Sequence, residues 1–389
     1  MGLQIKNMKR KLRMGMIGGG IGSFIGDVHR KAAGMDGMID LVCGAFSSSA
    51  EKSMASGKAL YLPEERCYKN YEEMIMKEKA LPAEQRMDFV AIVTPNHRHF
   101  SPAKLALENG FHVVCDKPMT LTLEEAIELE KIVTKSGKLF ALTHNYTGHP
   151  LVKQARAMVA NGDLGNIRKI QVQYLQGWLA TSLEKTDHKQ ASWRVDPKQS
   201  GIGGALGDIG THAENLVEYI TGLKIEELAA DLGRFGEGRI LDDDGNLLLR
   251  MENGAKGTMS FSQIAVGEEN SLSIKVYGEK GSLEWHQENP NQLITHWLKA
   301  PLKIFTTNGN DLYPEALNSC RIPAGHPEGY LEAFATIYKN FATHLMALLD
   351  NNTIEKTDYP TVADGVRGMK FIYAAVESDK NNSTWTKFQ

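Results

Sequence analysis

The run Gly18-Gly19-Gly20-Ile21-Gly22-Ser23 follows the short apolar stretch Met14–Ile17 and leads into a helical pattern over Ile21–Ala33. A strand that turns on glycine into a helix leaves a chain few folds to choose from. The helix start presents unpaired N–H groups and a positive dipole end, so the turn is suited to an anion. Read as G-x-G-x-x-G, the run puts Gly18 at the tight turn and Gly20 where backbone approaches a pyrophosphate. Ser23 takes the third place, small enough to keep helix and strand close. A dinucleotide is the expected ligand.

The next hundred residues keep the same grammar. Ile39–Phe46, Phe89–Val93, Phe111–Cys115 and Leu139–Thr143 read as strands. Between them lie a polar helical stretch, a helix Ser101–Asn109 ending at Gly110, and a helix Leu123–Ser136 closed by Gly137. Strand–helix alternation with short connections predicts parallel βαβ units and a doubly wound sheet. Past Pro150 the pattern changes. One helix, Leu151–Asn161, precedes longer alternating segments at 167–176, 227–235, 247–251, 257–263, 271–277 and 281–286. Asp-Gly, Asn-Gly and Lys-Gly pairs among them suit hairpins. The spacing predicts an α+β domain on a large, open, mostly antiparallel sheet, with helices at 210–221, 330–349 and 361–377. A chain of 389 residues exceeds one ordinary core. The expected division is a tail at 1–13, a dinucleotide-binding Rossmann domain at 14–148 and an α+β domain at 149–389.

Composition narrows the partners. A net charge of −3 and no basic stripe argue against nucleic acid. No apolar run approaches the roughly 20 residues that span a bilayer. The basic opening (Lys6, Lys9, Arg10, Lys11, Arg13) has no apolar core of the kind a secretory signal needs, so the cytoplasm is expected. Cys43, Cys67, Cys115 and Cys320 are scattered. They read as reduced, buried thiols, and no metal site is expected.

The second strand ends in Ser47-Ser48-Ser49, where NAD sites often carry an acid for the ribose 2′-OH. Serines there can bond a plain ribose, or with Lys52 a 2′-phosphate, so NAD and NADP both stay open. Two strand ends carry further polar groups: Thr94-Pro95-Asn96-His97-Arg98-His99 after the third, and Asp116-Lys117-Pro118 after the fourth. Ligands of doubly wound sheets bind at this edge. Lys117, before a proline, is held off helical geometry. It reads either as an amine projecting into a crevice or as a surface lysine. In Gly203-Gly204-Ala205-Leu206-Gly207-Asp208-Ile209-Gly210-Thr211-His212, Asp208 and His212 stand four apart on one helical face. A carboxylate and an imidazole so placed suit proton transfer. The plainer alternative is an N-cap aspartate beside a core histidine.

Together these residues resemble the Gfo/Idh/MocA family of oxidoreductases, over nearly the whole chain. The resemblance rests on the Gly18-x-Gly20 turn, Thr94-Pro95-Asn96 with His99, Asp116-Lys117-Pro118 and Asp208 with His212. It departs from the family in having Asp116 where glutamate is usual and no acid after the second strand. It implies a Rossmann domain that binds NAD, the first choice, or NADP. Gly18, Gly20, Ile21, Gly22, Ser47, Ser48, Lys52, Thr94, Pro95, Asn96, His99, Asp116 and Lys117 would contact that cofactor. It also implies a second domain whose sheet mediates homo-oligomerisation, and a catalytic pair, Lys117 and His212, with Asp208 on the substrate. Stretches 144–148, 192–197 and 325–330 are similar to a subgroup acting on sugars and glycosides. They add Asn145, Tyr146, Trp193, Arg194 and His326 as substrate contacts. The expected reaction is hydride transfer between NAD(P) and a secondary hydroxyl of a pyranose or glycoside, C3 favoured. The rivals are an inositol dehydrogenase or NADP-dependent keto-sugar reductase, a glycoside hydrolase that retains its NAD, and a non-catalytic dinucleotide sensor.

Overall fold

The structure, a computed structural model, describes residues 10–353 and 358–388; Lys6 and Lys9 of the basic opening lie outside them. The chain divides into two compact units, one of residues up to Asn145 with Leu331–Val366, the other of Tyr146–Tyr330 with the stretch from Arg367 onward.

The first unit alternates β1 (Leu12–Gly18), α1 (Phe24–Met35), β2 (Ile39–Ala45), α2 (Ala50–Ala59), α3 (Tyr71–Ala80), β3 (Phe89–Val93), α4 (Phe100–Glu108), β4 (His112–Cys115), α5 (Leu123–Ser136) and β5 (Phe140–Leu142). Its five strands lie in the order β2-β1-β3-β4-β5, with every recorded pair parallel. The apolar runs of β3 and β4 are buried throughout, as expected of strands covered on both faces. After β2 the chain crosses back past β1 to start β3. Winding therefore reverses between β1 and β3, and this switch point opens the ligand crevice of such sheets. The stretch read as one polar helical segment holds two helices, α2 and α3. α1 starts three residues later than its pattern suggested, because Gly22 turns left-handed (φ 79°) and the Ser23 side chain caps the helix by accepting from Gly26 N–H.

The second unit runs α6 (Pro150–Ala160), β6 (Ile167–Leu175), α7 (Lys189–Arg194), α8 (Pro197–Ser200), α9 (Thr211–Thr221), β7 (Ile225–Gly233), β8 (Asp244–Met251), β9 (Lys256–Ser262), β10 (Ser271–Gly278), β11 (Gly281–His286), β12 (Gln292–Trp297), β13 (Lys303–Thr306) and α10 (Pro314–Leu317). Two long helices follow, α11 (Tyr330–Leu349) and α12 (Val362–Lys380), then β14 (Thr386–Lys387). α11 belongs almost entirely to the first unit, where Phe341 meets Phe89 with ring centroids 5.1 Å apart. The sheet of the second unit has nine strands, β13-β12-β11-β10-β6-β9-β8-β7-β14, antiparallel except for the β6–β9 pair. Inward residues such as Leu247, Leu249 and Met251 are buried, while Asn246 and Leu248 on the same strand point to the open face.

Three readings of this unit need correction. β12 and β13 extend the sheet beyond the last expected strand. Asp244-Gly245 is not a turn but the start of β8, paired with Ser262 and Phe261 of β9. The helix carrying His212 starts earlier than Gly210, with a π-helical turn over Leu206–Gly210.

Candidate active site

In the first unit the glycine turn fits a dinucleotide. A Cβ on Gly20 would lie 2.7 Å from Ser56 Oγ and 2.8 Å from Phe46 O, so only bare backbone fits beside the entry to α1. Ser56 Oγ also accepts the Ile21 N–H at 3.1 Å, and Arg30 Nη1 donates to Gly19 O. The helix meets the glycine turn most closely at Gly26, where a Cβ would come within 2.3 Å of Gly19 Cα. At the β2 tip, Ser47 Oγ accepts from Ser49 N–H and Ser49 caps α2 on Lys52 N–H. Ser48 and the Lys52 side chain are exposed there.

The loops after β3 and β4 are tied together. His99, 1% exposed, places Nε2 2.7 Å from Thr94 O and Nδ1 2.8 Å from Pro118 O. Set between two carbonyl oxygens, the buried His99 ring links the two loops. Asp116 Oδ1 accepts from Lys117 N–H (2.9 Å) and from Thr143 Oγ1 (2.8 Å), which follows β5. Lys117 is half-buried and its backbone is thus fixed from both neighbouring strands. Pro95 is half-buried and Asn96 buried beside it. His144 is held neutral, its pKa lowered to about 3 by burial and then by the nearby Lys117. Asn145 is buried, with its Nδ2 lacking a partner among the described residues. His29, a residue the motifs did not single out, packs in this unit with Nδ1 2.7 Å from Tyr338 OH.

In the second unit His212 is buried, its ring meeting Tyr146 edge-on with centroids 4.8 Å apart. The Tyr146 hydroxyl is already engaged: it lies 2.5 Å from Tyr174 OH and accepts from Asn270 Nδ2 at 3.3 Å. Tyr174 and Gln176 both donate to Asn270 Oδ1, and Trp178 Nε1 donates to Gln176 Oε1. Burial raises the pKa of both tyrosines, so this floor beneath His212 is neutral. Asp208 is no N-cap. Its Oδ2 accepts from Arg194 Nε at 3.1 Å and from Gln263 Nε2 at 2.9 Å. The Arg194 guanidinium stacks 4.4 Å over the Trp193 ring, which is half-buried and not a core aromatic. His326 stands on an exposed loop, Nδ1 3.1 Å from Pro323 O. Gln263, Asn270 and Gln176 were not expected; they stand one residue past β9, one before β10 and one past β6, brought together by sheet register.

Residues 12–144 match the oxidoreductase family with an NAD-binding Rossmann fold, and residues 152–284 match the GFO/IDH/MocA C-terminal domain. The chain belongs to the GFO/IDH/MocA oxidoreductase family. Among its relatives is the uncharacterized oxidoreductase YfiI of Bacillus subtilis, 34% identical over 388 residues, covering 98% of each chain. A levoglucosan dehydrogenase of Pseudarthrobacter phenanthrenivorans is 28% identical over 73% of this chain and 76% of its own. A solved inositol dehydrogenase homolog of Azotobacter vinelandii, complexed with NAD+, shares 35% identity at a TM-score of 0.94, covering 98% of each chain. This GFO/IDH/MocA protein is therefore an oxidoreductase with an NAD-binding Rossmann domain. Among the described residues no helix is long and apolar enough to cross a membrane.

Proposed function

We propose that the protein is an NAD-dependent dehydrogenase moving hydride between the nicotinamide and a secondary ring hydroxyl of a pyranose sugar or glycoside, C3 first. The observation that carries the reading is the Lys117 loop. It sits at the carboxyl edge of the parallel sheet, pinned through Asp116, Thr143 and His99, next to the strand whose partner carries the glycine turn. Gly18, Gly20, Ile21 and Gly22 would hold the pyrophosphate, Ser47, Ser48 and Lys52 the adenosine ribose, and Thr94, Pro95 and Asn96 the nicotinamide side. His99 and Asp116 would act by fixing these loops.

His212 takes the proton of the substrate hydroxyl as general base, an effect of about 10² to 10⁴ in rate. Lys117 stabilises the charge developing on that oxygen. Asp208, steadied by Arg194 and Gln263, accepts from a neighbouring substrate hydroxyl. Trp193 offers an aromatic face for sugar C–H groups, and Tyr146, its hydroxyl engaged, offers ring surface. Asn145 has an amide to donate, and His326 lies on a loop of the same unit as His212. When bound, NAD supplies the hydride acceptor. The likeness to the inositol dehydrogenase homolog favours a second reading, with a cyclitol in place of the pyranose. The open face of the nine-stranded sheet is proposed as the contact between copies of the chain.

A panel of sugars, glycosides and inositols followed at the reduced-nicotinamide absorbance, with NAD and NADP, tests the substrate class. Lys117→Ala and His212→Ala are each expected to lower kcat by about 10² to 10⁴ while NAD still binds. Full turnover in both variants would sink the assignment, and no turnover of any polyol by the parent protein would sink the substrate class.

A further inference from the structure

Where the chain enters β8 it carries three acids in a row, Asp242-Asp243-Asp244, which the mechanism does not use. Asp242 is 4% exposed. Its Oδ1 accepts from Gly204 N–H at 2.7 Å and its Oδ2 from Leu206 N–H at 2.6 Å, while its main-chain oxygen accepts from Ala205 N–H at 2.9 Å. Three successive N–H groups at the start of the helix that bears Asp208 and His212 thus end on one residue. Contact is close enough that a Cβ on Gly204 would stand 2.1 Å from Asp242 O, which accounts for glycine at that position.

The next residue grips the same place from the other side. Asp243 O accepts from Gln263 N–H at 2.8 Å, and Gln263 Nε2 then donates to Asp208 Oδ2 at 2.9 Å. Asp243 is itself locked by Phe235 N–H, Gly236 N–H and Arg239 Nη1. We propose that Asp242 is a positioning residue of the proton-transfer site, setting where Asp208 and His212 stand by holding the first turn of their helix. The proposal rests on the reading of His212 and Asp208 given above.

A titration accompanies this role. Burial pushes the Asp242 carboxyl up to about 6, against the pull of its N–H partners and of Arg234. The charged group that acts on it is Arg234, and the helix side facing it presents main-chain N–H groups.

Two measurements test this. In Asp242→Asn the amide keeps the shape and offers a single acceptor, the low-pH condition made permanent. Its kcat is expected to fall by about tenfold to a hundredfold, as for misplaced catalytic groups, with NAD affinity unchanged, and the Asp242 limb near pH 6 is expected to vanish from the kcat profile. In the same variant, hydrogen exchange of the 203–212 segment is expected to quicken relative to the unaltered protein at pH 7, while α6 stays protected. Unchanged kcat in a folded Asp242→Asn, or exchange of 203–212 no faster in it than in the unaltered protein, overturns the proposal. A parent protein without polyol turnover would instead overturn the proposed function, and the exchange measurement decides the cap either way.

Discussion

Gly26 and Gly22 make opposite predictions from the same letter. A methyl on Gly26 would meet Gly19 Cα at 2.3 Å and Gly19 O at 2.7 Å, backbone atoms that cannot swing aside. A methyl on Gly22 would meet nothing within 4 Å and would cost only what its φ of 79° imposes. Gly26→Ala should therefore destabilise the protein by about 1–3 kcal/mol as overpacking does, and weaken NAD binding by distorting the turn. Gly22→Ala should cost about 1–2 kcal/mol of backbone strain. Urea denaturation beside NAD titration separates them, and a Gly26→Ala protein binding NAD as well as the parent would refute the close-packing role. The sequence template counts fixed steps from Gly18 to Ser23, whereas the close approach falls at the residue that faces the turn one helical turn later. Lys117, Asp208 and His212 stood out as candidates because each follows a strand end or glycine cluster directly. Asp242, Gln263 and Asn270 were not. They reach the site through pairing of segments tens of residues apart, for which local periodicity carries no signal.

At the scale of elements the nine-stranded sheet holds one clear expectation. One face is apolar and buried; the other bears Gln171, Gln173, Ser260, Ser273 and Lys275 around a depression of about 710 Å³, with Leu248 52% exposed at its edge. A sheet this broad with a bare face is the surface on which a second copy would seat. Leu248→Arg places a charge there without touching Lys117 or His212, so it should shift the protein toward monomer in sedimentation velocity while leaving the fold's circular dichroism intact. If the parent already sediments as a monomer at micromolar concentration, the sheet contact is refuted. The first unit's elements were readable from sequence because buried parallel strands are plain apolar runs between capped helices. The sheet of the second unit was readable only to β11. β13 lies at the sheet edge and β12 next to it, and their outward residues are polar or exposed, such as Ile304 and His296, so their alternation is faint. Asp244-Gly245 misled for a related reason: a turn-forming pair sits inside a strand when neighbours on both sides, β7 and β9, supply its ladder.

Over the whole molecule the buried histidines outweigh the net charge in setting how the protein answers acid. His29 and His112 have pKa values lowered to about 4, and His144 and His149 to about 3, burial being the largest cause in each. An unfolded histidine titrates near 6.5, so between that pH and the folded value the unfolded chain binds more protons. Stability then rises with pH and is lost as pH falls below about 6.5. Each of the four contributes a loss of roughly 2 kcal/mol between pH 7 and pH 5. Asp242 acts in the opposite sense: its carboxyl is raised from 3.8 to about 6, so the folded state takes up its proton first and gains stability as pH falls. One such group offsets part of one or two histidines, not four. Repulsion among like charges supplies no alternative cause, since the formal net charge is only −3 and acidification first moves it toward zero. The unfolding free energy from urea denaturation should accordingly drop by several kcal/mol, a large share of the about 5–15 kcal/mol that holds a typical domain together, on going from pH 7 to pH 5. His29→Gln, which cannot take a proton, should flatten that slope by about a quarter. A midpoint that stayed level or rose over this interval would mean that these imidazoles are already charged in the folded protein.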